Sequence, residues 1–79
     1  MMTKRVFLLL ADGFEPPEAA GFTDVLGWAN IDGFVPIELV SAGIHPLLRA
    51  TFGLSVIPDA QLGDLELDSF DALAVPGVF

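Results

Sequence analysis

The stretch RVFLLLADGFEPPEAAGFTDVLGWA, residues 5–29, decides the fold. After its arginine come six apolar residues without alternation, which is typical of a strand buried on both faces of a parallel sheet. The glycine of DGFE then provides a turn, and Pro16 and Pro17 follow where the first positions of a helix tolerate a missing N–H. The sequence therefore predicts a strand over 5–11 and a helix that begins near Glu15.

Apolar residues inside the predicted helix recur at spacings of three and four, which places them on one helical face. They are Ala19, Phe22, Leu26 and Ala29, with Val25 beside them. We expect this stripe to face the sheet and the helix to end near Asn30.

Turn and strand patterns alternate in the next part of the chain. The residues NIDGF (30–34) are typical of a turn, and VPIELVSA (35–42) predicts a second strand with Pro36 at its beginning. LLRAT (47–51) and LSVIP (54–58) flank a Phe-Gly pair, which indicates a small hairpin.

The last twenty residues contain an acidic stretch and one more strand. Residues 59–71 are acidic and irregular, with at most one helical turn, and FDALAVPG (70–77) predicts another buried strand. The strands need cover on both faces, yet only one helix is predicted, so one sheet face would be open to water. We therefore interpret the chain as the first part of a larger domain. The alternative is a second helix over 59–68, with dimerisation covering the rest.

The composition limits the classes of protein to which this chain can belong. The 79 residues suffice for one domain, and a 53% apolar content with mean hydropathy +0.67 exceeds what so small a domain can bury. Three Lys and Arg against eleven Asp and Glu give a net charge of -8, which argues against nucleic-acid or anionic-membrane partners. Cysteine is absent, so these residues hold no disulfide and no nucleophilic thiol. With no apolar run long enough for a membrane span and no secretory cleavage pattern, we expect a soluble, cytoplasmic protein.

Glu18 is the first candidate site residue, because it follows the end of the first strand, where α/β sheets place their sites. One interpretation is a general acid/base or a hydrogen-bond partner for a nucleophile from a later loop. The other is structural, with Glu15 and Glu18 forming a capping box that favours the helix dipole. Position alone favours the structural one.

Three further residues carry weaker signals. Asp12 fits an acidic ligand or phosphoacceptor, but more simply begins a turn. The single histidine, His45, has no catalytic or metal partner visible in the sequence, which favours a surface role. Gly77 after Pro76 can bring a backbone N–H to an oxyanion, or only form a turn. Neither glycine-rich nucleotide motif nor calcium-loop spacing is present, so we expect no cofactor and no metal.

Taken together, the motifs resemble the amino-terminal part of the ThiJ/PfpI family, in the class I glutamine amidotransferase-like superfamily. They are DGFEPPE (12–18), TDVL (23–26), LVSAG (39–43), GLSVIPD (53–59) and ELDSFDALAVPG (66–77). The resemblance covers nearly the whole chain. It implies a flavodoxin-like three-layer α/β sandwich with a mainly parallel sheet, of which residues 1–79 form only the amino-terminal part of a single domain.

The resemblance also implies a function. In the family a cysteine on an elbow in the second half is reactive, and a glutamate of the first helix, at the position of Glu18, hydrogen-bonds to it. A cysteine-dependent hydrolase or lyase of glyoxalase, amidase or peptidase type is implied, acting on small carbonyl or amide substrates and commonly dimeric. The cysteine would lie in a missing carboxyl-terminal segment or chain.

Gly77 matches the first glycine of the family's P-G-G, whose amides help to form the oxyanion site. Val78 replaces the second glycine, and because a β-branched residue resists positive φ, we expect altered oxyanion geometry. This departure leaves a non-catalytic ligand-sensing or interaction module as the alternative. A receiver-like phosphoacceptor domain using Asp12 is a weaker third reading, because the last strand ends in Pro-Gly instead of a second acidic residue.

Overall fold

The computed structural model describes residues 3–33 and 36–78. In order along the chain, its elements are β1 (Lys4–Leu9), α1 (Pro16–Asp32), β2 (Ile37–Gly43), β3 (Leu48–Arg49), β4 (Ser55–Val56), β5 (Ala60–Gln61) and β6 (Ala72–Ala74). Single 3₁₀ turns lie at Thr51–Gly53, Leu62–Asp64 and Leu67–Ser69. Within the described residues the main sheet has the order β5-β2-β1-β6 with all pairs parallel, which confirms the predicted α/β class.

Strand β1 lies in the centre of the sheet. It pairs with β2 over its whole length and with β6 over three residues. Phe7 and Leu8 point to opposite faces and both are buried. The apolar run of β1 therefore reflects burial on both sides, as its lack of alternation predicted.

Helix α1 begins and ends for local reasons. Glu15 is the N-cap, and Pro16 and Pro17 occupy the first two helical positions, as predicted. The helix continues to Asp32, two residues beyond the expected end, because Gly33 adopts a left-handed φ of 83° and donates its N–H to the carbonyl of Ala29.

One side of α1 packs on the sheet, although less broadly than predicted. Ala19 is buried, and Leu26 and Ala29 are half-buried. Phe22 is partly exposed, and Val25 is 65% exposed, so its assignment beside the buried stripe is wrong. The line through Ala19 and Leu26, two turns apart, sets the buried face, and Val25 is rotated by about 100° from Leu26.

The predicted hairpin is confirmed. Strands β3 and β4 pair antiparallel, with Leu48 opposite Val56. Leu48 is fully buried in the core, together with Leu8, Leu10 and Phe14. It packs so closely on Gly43 that a Cβ there would lie 2.6 Å from its Cδ1.

Residues 59–71 differ from the expectations. The alternative of a second helix over 59–68 is wrong, because the segment holds the short strand β5 and two 3₁₀ turns. Ser41 and Asp59 exchange two bonds, from the Ser41 N–H to Oδ2 (2.9 Å) and from the Asp59 N–H to Oγ (2.8 Å). These bonds hold the segment extended along β2. The strand predicted over 70–77 pairs only at Ala72–Ala74.

The turn predicted over 30–34 is helical as far as Asp32, and Phe34 and Val35 lie outside the described residues. Asn30 instead accepts a hydrogen bond at Oδ1 from the N–H of Ile37, at 2.9 Å. The helix end thereby sets the first residue of β2.

The two faces of the sheet are covered unequally. Ala74 belongs to the core on the side of α1, whereas its neighbours Leu73 and Val75 are about half exposed. Successive strand residues point to opposite faces, so these two lie on the side away from the helix. There Phe70 covers Phe7 edge-on, with ring centroids 5.2 Å apart. The predicted open face is thus present beside β6.

Candidate functional site

The carboxyl ends of β1, β2 and β6 meet at one edge of the sheet, because these strands are parallel neighbours. The loop of residues 12–15, which follows β1, runs through the middle of this edge. On one side Gly13 donates its N–H to the carbonyl of Arg49, and on the other Phe14 forms an antiparallel bridge with Val78. The loop therefore joins the hairpin to the segment after β6.

Glu18 and Gly77 are brought together at this edge, although they are 59 residues apart. Glu18 lies in the first turn of α1, and its Oε1 accepts a hydrogen bond from the N–H of Gly77 at 3.2 Å. Glu15 donates its N–H to the carbonyl of Gly77 at 2.8 Å. Both backbone groups of Gly77 are thus held by the start of α1.

These bonds separate the two interpretations of Glu18. In a capping box the Glu18 carboxylate would accept the N–H of Glu15, and the Glu15 side chain would cap the helix. Instead that N–H goes to Gly77, and the Glu15 side chain makes no cap bond. The capping-box interpretation is wrong, and the Glu18 carboxylate is directed toward the segment after β6.

Position 77 needs glycine because there is no room for a side chain, and not because of its backbone angles. Its φ is not positive, but a Cβ at this position would lie 2.8 Å from Oε2 and 3.0 Å from Oε1 of Glu18. Val78 has no positive φ either, since Phe52 is the one non-glycine residue of the described chain in that region. The conflict expected between a β-branched residue and positive φ at position 78 is therefore absent.

An open groove of about 470 Å³ begins at Glu18. Its other lining residues lie along α1 and are Gly21, Phe22, Val25 and Leu26. The groove thus has an apolar wall with one carboxylate at its end, and it is open to solvent because all its lining residues lie on one helix.

A contact that the sequence did not predict joins Asp12 to His45. Asp12 follows β1, His45 follows β2, and the distance from Oδ2 to Nδ1 is 3.0 Å. Asp12 also accepts the backbone N–H of Arg49 at Oδ1, at 2.9 Å. The bond from Arg49, followed by that from His45, holds the pKa of Asp12 below its ordinary value. Nothing in the local sequence indicates this partnership, because 33 residues separate the two side chains.

Two of the five acidic residues of the 59–71 segment have structural partners. Asp59 holds Ser41, and Asp71 accepts the N–H of Arg5 at 2.8 Å. Across residues 3–33 and 36–78, no three His, Asp or Glu side chains converge as a metal site would need. In the same part of the chain, no helix has the length and apolar content to cross a membrane.

Comparisons with solved structures identify the fold. Oxidized DJ-1 from Toxoplasma gondii is 26% identical with a TM-score of 0.80, over 96% of this chain and 39% of that chain. DJ-1beta from Drosophila melanogaster is 28% identical with a TM-score of 0.82, over 99% of this chain and 40% of that chain. No family model and no curated protein matches the sequence.

These likenesses confirm the family resemblance, since the chain has the flavodoxin-like α/β fold of the DJ-1/ThiJ/PfpI superfamily. An AraC family transcriptional regulator from Pseudomonas putida has a TM-score of 0.83, over 96% of this chain and 48% of that chain. At 22% identity, this likeness indicates only that the two chains share a fold. The chain spans about two fifths of the length of the two DJ-1 structures.

Proposed function

We propose that this chain forms part of a ThiJ/PfpI-like, cysteine-dependent hydrolase or lyase site for small carbonyl or amide substrates. Glu18 is the carboxyl that hydrogen-bonds the reactive cysteine, and a segment or chain beyond these 79 residues supplies that cysteine. The observation that carries the proposal is the bond from the Gly77 N–H to Glu18, which orients this carboxylate at the carboxyl edge of the sheet.

The contacts of Glu18 suit such a role. Its Oε1 is occupied by Gly77, whereas Oε2 has no hydrogen bond within the described residues. A protonated carboxyl oxygen at that position can donate to a thiolate, and a donor to the charged form of a thiol favours that form. A thiolate is the nucleophile that attacks a carbonyl carbon. Gly77 thus acts first as a positioning residue for Glu18. For its N–H to bind a substrate oxyanion, the bond to Glu18 must be shared or broken.

The experiment uses the complete protein that contains the cysteine. Glu18→Ala removes the donor, and at a pH below the thiol pKa it should slow alkylation of the thiol by iodoacetamide by about tenfold, the effect of raising the thiol pKa by one unit. Turnover of a small dicarbonyl such as methylglyoxal should fall in parallel. Glu15→Ala is the matched control, because the Glu15 side chain lies at the same end of the helix and makes no cap bond. Unchanged alkylation and turnover in Glu18→Ala would contradict the assignment.

A second candidate is a non-catalytic, ligand-sensing module of the same fold. The AraC family regulator among the structural neighbours is compatible with it, and so is Val78 in place of the family's second glycine. The groove beside Glu18 would then bind a small ligand without turnover. The residue at the elbow of the complete protein decides between the two, since a non-nucleophilic residue there excludes the enzyme.

We also propose a homodimer formed through the outer side of α1. Val25, Trp28 and Ile31 are all more than half exposed there, and exposed apolar surface of this kind favours association. Intact-mass analysis of purified material, together with its mass in solution, would separate a second copy of this chain from a longer, cysteine-containing polypeptide.

A further inference from the structure

Asp12 and His45 form a side-chain pair that the Glu18 site does not use. Each of the two residues also has a hydrogen bond to another part of the chain. Asp12 is held at Oδ1 by the N–H of Arg49, and the carbonyl of His45 accepts a bond from Nε2 of Gln61 at 3.1 Å. Pro46 further restricts the backbone of His45, since a residue before proline is confined mainly to extended angles. The backbone of His45 and the carboxylate of Asp12 are therefore both restrained, and the half-exposed imidazole contacts that carboxylate.

The geometry determines the tautomer of His45. An ionised carboxylate only accepts hydrogen bonds, so the ring nitrogen 3.0 Å from Oδ2 of Asp12 must carry a proton. When the ring is neutral, Nδ1 is the protonated nitrogen and Nε2 has the free electron pair. Within the described residues Nε2 makes no hydrogen bond, and Asp12 is the one charged side chain in contact with the ring.

We propose that His45 and Asp12 form a proton-transfer dyad that promotes hydrolysis of small acyl esters at this edge of the sheet. Nε2 takes a proton from a water molecule while the oxygen of that water attacks the acyl carbon. The Asp12 carboxylate stabilises the imidazolium so formed. The tetrahedral intermediate expels the alcohol or phenol oxygen with its electron pair, and the imidazolium releases its proton to solvent or to the leaving group. The inference is independent of the cysteine chemistry, because neither a thiol nor Glu18 takes part.

This chain is well suited to the test, since it has one histidine and no cysteine. The probe is p-nitrophenyl acetate, and its hydrolysis by the folded chain is compared with that by the chain in urea. We expect the folded chain to be faster by about tenfold, below the 10²–10⁴-fold typical of general acid–base catalysis in enzymes, because the pair is half exposed to water. His45→Gln should abolish the enhancement, while its amide can still donate to Asp12.

Asp12→Asn tests the dyad without removing the loop contact. The Asn carbonyl can still accept the N–H of Arg49, but its NH₂ would face Nδ1 and impose the opposite tautomer. We expect imidazole ¹⁵N NMR to show Nδ1–H in the original chain and Nε2–H in Asp12→Asn, with the rate reduced to that in urea. Asp24→Asn changes an exposed carboxylate on α1, away from the dyad, and should keep both tautomer and rate. An Nε2–H tautomer in the original chain, or equal rates for it and Asp12→Asn, would overturn the proposal.

Discussion

Gly77 donates its N–H to Oε1 of Glu18 at 3.2 Å, and a methyl group on Gly77 would lie 2.8 Å from Oε2 of the same carboxylate. The contact therefore depends on a residue that has no side chain. It ties the first turn of α1 to the segment that follows β6, two parts of the edge that come from opposite ends of the chain.

Gly77→Ala should displace the Glu18 carboxylate and break this bond. We expect a loss of about 1–2 kcal/mol in the free energy of unfolding, from one hydrogen bond and the crowding around the new methyl. Urea denaturation measures it. Gly63→Ala is the control, because a Cβ there meets nothing within 4 Å and the residue has no positive φ. Equal stability of the two variants would contradict the close contact.

Gly43→Ala should overpack the core against Leu48. A Cβ at position 43 would lie 2.6 Å from Cδ1 of Leu48, a fully buried side chain. We expect a cost of about 1–3 kcal/mol for this variant and about 2–5 kcal/mol for Leu48→Ala. In the double variant the new methyl occupies part of the cavity, so its cost should be less than the two single costs combined. Additive costs in the double-mutant cycle would show that the two positions do not couple.

Phe52→Asn should stabilise the hairpin. Phe52 has a φ of 62° and its side chain is fully exposed, so the ring contributes no buried surface to offset the left-handed backbone. Asparagine tolerates this region better, and we expect a gain of about 1 kcal/mol. Thermal unfolding should then shift upward by several degrees. A lower melting temperature would indicate that the ring has a stabilising contact.

Asp12 should make stability depend on pH in the acid range. Hydrogen bonds from Arg49 and then His45 hold its pKa below the ordinary value of 3.8. The carboxylate therefore stabilises the fold fully above its unfolded pKa, and this contribution is lost as the pH falls through the lower, folded value. In Asp12→Asn the loss of stability below about pH 4 should be smaller. Urea denaturation at several acid pH values measures it, with Asp24→Asn as an exposed control.

Trp28→Glu should weaken self-association without unfolding the chain. The indole lies on the outer side of α1 and is 58% exposed, so a charged residue there costs little in the monomer. It would place a carboxylate in the apolar contact between two copies, where an unpaired charge is strongly unfavourable. Sedimentation at several concentrations should show a dimer for the original chain and a monomer for the variant. An unchanged mass would exclude this side of α1 as the interface.

Local patterns determined several element types of this protein. The unbroken apolar run of β1, the two prolines after Glu15 and the turn at Phe52-Gly53 each report a constraint on neighbouring residues, and each led to the correct element. Family motifs spread along the chain then identified the superfamily. The 59–71 segment was harder, because its course depends on Ser41 and Asp59, whose exchange of bonds spans 18 residues.

The sequence proposed Glu18 and Gly77 as site residues, but the contacts at the sheet edge were decided by tertiary structure. Its spacing of three from Glu15 allowed Glu18 to be a capping residue. Only the tertiary structure shows that the carboxylate instead accepts the N–H of Gly77, in the segment after β6. His45 had no partner in the sequence and acquires Asp12 because β1 and β2 end side by side. A sequence encodes short-range propensities directly, whereas contacts between distant residues follow from strand order and register, which arise only when the whole sheet assembles.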